Sequence, residues 1–199
     1  MEGYSFLGRS SPRAHSLKVY ILGVGYKTVT YEEDWSVQEL CSSLAHKLRL
    51  PDEHLFGIFE VYGEPGTGKE KCIKDSDTLR QKLEMAIVPG RQFVFKYKYL
   101  IDMKIARAED RAMDMYYLQT KESILSGYYH APLTMAVDLA AIQMQVEFGT
   151  FNPKTHVSGF LYPRIRDFLP SSLLGEADGR TVETNILSTY CASPEVKAT

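Results

Sequence analysis

The sequence predicts an α+β chain of two lobes, a small β-rich lobe followed by an all-helical one. Two observations carry this reading. Strand-like alternation of apolar and polar residues recurs between Leu17 and Tyr99 and is absent afterwards. Beyond that point the apolar residues recur at helical spacing as far as Tyr190. The expected organisation is a flexible N-terminal arm over 1–16, a β-rich lobe over 17–101 and a helical lobe over 102–199. The helical lobe is expected to be incomplete at its C-terminus.

In the first lobe, Leu17, Val19 and Ile21 alternate with Lys18 and Tyr20, and Gly23-Val24-Gly25 turns the chain into a second strand over Tyr26–Tyr31. Ser36-Val37-Gln38-Glu39 has the capping-box pattern of a helix start, and Trp35 can pack on Leu40 as a hydrophobic staple. Val37, Leu40, Cys41, Leu44 and Leu48 form the apolar stripe of that helix, which makes Cys41 a core residue rather than a nucleophile. Pro51 closes the segment. Strands are expected over Phe56–Tyr62 and Lys71–Ile73, with a short helix capped by Asp75–Asp77 and running through Leu83. The clearest strand is Gln92–Leu100, with Phe93, Phe95, Tyr97 and Tyr99 on one face and Val94, Lys96 and Lys98 on the other. A hairpin, a crossing helix and a closing strand in this order make a β-grasp, or ubiquitin-like, lobe.

In the second lobe, Asp110–Ser126 places Met113, Tyr117, Thr120 and Ile124 at helical spacing, and Gly127 is placed to end the helix. Leu133–Phe148 is apolar nearly all round, the pattern of a helix buried at the centre of a bundle. Phe160–Leu174 is broken by proline into short turns, and Thr181–Tyr190 is another helix. Ser193-Pro194-Glu195 reads as one more helix start, with serine as cap and proline in the first turn.

Composition narrows the function. The 199 residues are 44% hydrophobic and 24% charged, values of a globular chain. A formal net charge of -2 argues against a nucleic-acid coat. The three cysteines, Cys41, Cys72 and Cys191, form no C-x-x-C pair, so neither a zinc ribbon nor a redox dithiol is indicated. The five histidines are scattered, and no pair stands at i, i+4. No metal, cofactor or catalytic constellation is expected, and the chain reads as non-enzymatic. The N-terminus lacks a signal-peptide core, and a cytoplasmic location is expected.

Gly63-Glu64-Pro65-Gly66-Thr67-Gly68-Lys69 matches the spacing of a phosphate-binding loop. Glu70 then stands where a magnesium-binding Ser or Thr belongs, and a strand rather than a helix follows, so a hairpin loop is the better reading. The basic residues Arg91, Lys96, Lys98, Lys104 and Arg107 gather around the last strand and the linker, together with Tyr97 and Tyr99. They are the candidate contact for an acidic partner or an anionic lipid headgroup, set against an ordinary solvated face.

The run Tyr117-Leu118-Gln119-Thr120-Lys121-Glu122-Ser123-Ile124-Leu125-Ser126-Gly127 resembles the Q-x-K-x-D-I-L-x-G stretch of FERM domains. Ala136–Gly149 resembles their A-x-x-L-A-A-x-x-x-Q-x-E-F-G helix, departing from the pattern where D-Y would follow. Phe168-Leu169-Pro170 is similar to the family's F-L-P, and Ala192–Glu195 to the start of that lobe's last helix. Leu55–Val61 resembles a first-lobe strand in the FERM domains of tail myosins and kinesins. The resemblance implies a ubiquitin-like first lobe and a second lobe like acyl-CoA-binding protein, with a third, pleckstrin-homology-like lobe expected only beyond Thr199. It implies an adaptor that links membrane-associated proteins or anionic lipids to the cytoskeleton at the inner face of the plasma membrane. Implied partners are cytoskeletal proteins, receptor tails and a Ras-family GTPase. Alternatives are an N-terminal fragment of a larger tail-myosin, kinesin, talin or focal-adhesion-kinase-like protein, a P-loop nucleotide binder, and an acyl-CoA carrier by fold analogy.

Overall fold

A computed structural model describes residues 15–63, 69–83, 90–99 and 110–193. The chain divides into two compact units, Met1–Gln119 and Thr120–Thr199. The expected lobe boundary at 101/102 lies outside the described residues, as do the N-terminal arm to residue 14 and the helix start at Pro194-Glu195.

In the first unit, β1 (His15–Ile21) and β2 (Gly25–Tyr31) form the expected hairpin, turned through Gly23 and Gly25 at positive φ. Helix α1 (Val37–Leu48) starts at a complete capping box: Ser36 Oγ accepts from Glu39 N–H at 3.2 Å, and Ser36 N–H donates to Glu39 Oε2 at 2.7 Å. Left-handed Arg49 ends the helix two residues before Pro51. Strand β3 (Phe56–Tyr62) follows a 3-10 turn over Glu53–Leu55, and β4 runs Lys69–Cys72. Helix α2 is Leu79–Leu83. The Asp75–Asp77 segment before it has a second use. Its carbonyls accept the first N–H groups of α1: Gln38 donates to Asp75 O at 3.1 Å and Val37 to Asp77 O at 2.9 Å. The orphan donors of the longer helix thus take up this turn.

Strand β5 (Arg91–Tyr97) is central in a sheet ordered β2-β1-β5-β3-β4, parallel to β1 and antiparallel to β3. Phe93, Phe95 and Tyr97 are buried with the apolar stripe of α1, in which Cys41 is a core residue as expected. Tyr99 departs from the expected alternation. It lies past the end of β5 and is 70% exposed, because the ladder ends at Tyr97.

Helix α3 (Asp110–Leu125) begins in the first unit, where it buries Ala112, Met115 and Gln119 and leaves Met113 exposed. The expected stripe through Met113 is therefore rotated. Several apolar and aromatic residues stand close together on this helix, and the inward face is the one that carries Ala112, Met115 and the polar Gln119.

In the second unit, α3 ends at Leu125, and Gly127 just past it has a positive φ. Helix α4 occupies Leu133–Phe148 as read from the sequence. A 3-10 segment (Tyr162–Asp167), α5 (Ser171–Glu176) and α6 (Gly179–Ala192) complete the described chain. Ala136, Val137, Ala140, Ala141 and Met144 of α4 pack with Val182, Ile186 and Tyr190 of α6 and with Leu161, Phe168 and Leu169. Each fully buried Val, Leu, Ile, Met or Phe among these contributes about 1.5–3 kcal/mol by leaving water, and each alanine less. The expectation of all-round burial holds for one face of α4 only, since Met135, Ile142 and Val146 are exposed. Overall apolarity does not say which face has a neighbour.

Candidate partner-binding surfaces

Among the described residues, Arg91, Lys96 and Lys98 are brought onto β5 and its end, each beside a carboxylate from a neighbouring segment. Arg91 pairs with Glu60 of β3 and donates from Nη2 to Lys82 O at 3.2 Å. Its guanidinium lies 4.9 Å from the Phe93 ring centre, its side chain is only 4% exposed, and burial lowers its pKa. Lys96 pairs with Glu70 of β4 and stands 4.7 Å from the centre of the Phe59 ring. Lys98 Nζ reaches Asp75 Oδ2 at 2.6 Å and donates to His54 O at 3.2 Å. Lys104 and Arg107 lie outside the described residues. Of the two tyrosines expected beside these cations, Tyr97 is buried in the core and Tyr99 is exposed. An incoming anion would have to compete with Glu60, Glu70 and Asp75 for the three described cations.

The sheet has two unequal edges. The β4 edge is four residues long and carries Lys69, Glu70 and Lys71, the charged pattern that discourages edge pairing. The β2 edge is seven residues long, rich in Thr and β-branched residues, and charged only at Lys27. No strand other than β1 pairs with it among the described residues. On the sheet face beside this edge, Lys18 Nζ sits 4.3 Å from the centre of the Tyr26 ring. Tyr26 donates its hydroxyl to Gln92 Oε1 at 2.6 Å and meets Tyr20 edge-on at 5.1 Å. Sequence reasoning placed Lys18 and Tyr20 on one face but did not single them out. Alternation shows which residues share a face, whereas sheet order shows which strand is an edge.

The glycine-rich motif has no helix at its end, since Lys69 is the first residue of β4. Residues 64–68 lie outside the described set. Among the described residues no group of His, Cys, Asp and Glu could hold a metal ion. None of the described helices is long and apolar enough to cross a membrane. In the second unit a cleft of about 280 Å³ lies among Gln145, Gly149, Thr150, Phe151, Tyr190, Cys191 and Ser193. Tyr190 closes one side by donating to Gly149 O at 2.7 Å.

Residues 105–196 match the FERM central domain, and residues 13–84 match an RA-like domain. The chain carries a FERM central domain. It is 25% identical over 169 residues to FERM domain-containing protein C of Dictyostelium discoideum, covering 84% of this chain and 11% of that protein. It is 23% identical over 194 residues to talin-1 of Gallus gallus, covering 83% of this chain and 8% of talin-1. The FERM fold is shared with the solved complex of the FERM and C-terminal domains of Drosophila Merlin. That likeness has a TM-score of 0.69 at 20% identity and covers 92% of this chain and 61% of that one. This FERM chain therefore spans about a tenth of the length of these curated relatives.

Proposed function

We propose that this FERM chain is a non-enzymatic adaptor, the binding part of a larger protein that links membrane-associated proteins to the cytoskeleton. Its similarity to talin-1 supports this reading, and so does the Merlin structure, in which a FERM domain is held in complex with a C-terminal domain. The observation that carries it is the contrast between the two sheet edges, with β4 blunted by charge and β2 paired only with β1 among the described residues. An extended segment of a partner can add to such an edge through main-chain hydrogen bonds. The partner proposed for it is a Ras-family GTPase, with Lys18 and Lys27 beside the contact. Calorimetric titration with GTP-loaded and GDP-loaded GTPases tests this. Binding to the GTP form that Thr28→Pro abolishes is the expected result. Binding to neither form, or binding indifferent to the substitution, rules the edge out as the contact.

Arg91, Lys96, Lys98, Lys104 and Arg107 are proposed as the contact for acidic lipid headgroups or an acidic partner at the inner face of the plasma membrane. Lys96 and Lys98, two positions apart at the end of one strand, support this reading. Co-sedimentation with acidic liposomes at low salt tests it. Absence of binding, or binding unchanged by Lys96→Glu with Lys98→Glu, removes the proposal.

A further inference from the structure

We draw no further inference here: the strongest candidate, the exposed apolar stripe of Met135, Ile142 and Val146 along α4, carries nothing because nothing in the structure shows what covers it.

Discussion

Gln119 of α3 bonds Tyr97 of β5 at both ends of its side-chain amide. Tyr97 N–H donates to Oε1 at 2.9 Å, and Nε2 donates to Tyr97 O at 3.0 Å. The amide does for the last residue of β5 what another strand would do. Gln119→Leu leaves a buried donor and a buried acceptor unpaired, at about 1–3 kcal/mol each. The expected loss is about 2–6 kcal/mol from the first unit. Trp35, the only tryptophan in the chain, packs against that unit's core, so its fluorescence in a urea titration measures the change.

Glu183 is 1% exposed and accepts three backbone N–H groups, from Gly159 at 3.0 Å, Leu161 at 2.7 Å and Tyr162 at 2.9 Å. Glu183→Ala strands all three donors and is expected to cost about 3 kcal/mol or more. Glu183→Gln keeps one oxygen and should cost less. Hydrogen exchange over 159–162 should quicken in the order Ala, Gln, wild type, fastest first. Equal rates in all three would show that the carboxylate does not hold this turn.

Acid should weaken the fold through three carboxylates. The Ser36 backbone N–H and hydroxyl hold Glu39 below its ordinary value. The Thr181 hydroxyl and N–H do the same for Asp178 at the start of α6. Burial raises Glu147, but hydrogen bonds from Lys121 and Gln143 and the charges of Lys121 and Arg164 outweigh it, and the net shift is downward. A depressed folded pKa means that the unfolded chain binds more protons, so this stability is present at neutral pH. It is lost as pH falls from about 4 through the folded values. Glu147→Gln should flatten the acid limb of the stability profile and lower neutral-pH stability by about 1 kcal/mol or less, given solvent screening. Thermal unfolding followed by circular dichroism from pH 7 to 2.5 gives both numbers.

The three cysteines should separate in a thiol assay. Burial pushes the Cys41 thiol up to about 12, with the packed face of α1 around it. Cys72 and Cys191 are exposed, although burial also raises Cys72. Native protein should react with a disulfide-exchange reagent at two sites, and denatured protein at three. Protection of Cys41 that disappears before global unfolding would show that α1 opens locally.

The carboxylates beside the β5 cations make a sharper test of the lipid contact than charge reversal alone. If headgroups bind there, Glu70→Gln with Asp75→Asn should free Lys96 and Lys98 and strengthen sedimentation with acidic liposomes. The gain should shrink with added salt, since the contact is with an exposed charged surface. Unchanged sedimentation in the double variant at low salt would place any lipid contact elsewhere.

Much of the fold was legible because local patterns were strong and mutually consistent. The capping box at Ser36, the alternation through Phe93 and Phe95, and the limits of α4 were all read from spacing, and the structure places them there. The inward face of α3 was not legible, since Met113 and Met115 are equally apolar and the register is distinguished by tertiary contacts, among them the bonds of Tyr97 with Gln119 and with Ala112 O. The use of the Asp75–Asp77 turn was also hidden, because its carbonyls serve donors on a helix more than thirty residues earlier.

The sequence by itself determined that a β-rich lobe precedes a helical one, which residues share each strand face, and that Arg91, Lys96 and Lys98 fall on or beside the last strand. Period and capping act over a few residues, so composition and spacing encode them directly. Only the tertiary structure decided that Glu60, Glu70 and Asp75 stand against those cations, and that β2 and β4 are the two edges of the sheet among the described residues. Both depend on which strands become neighbours. That choice rests on burying apolar faces across the whole sheet, and no local stretch of sequence records it.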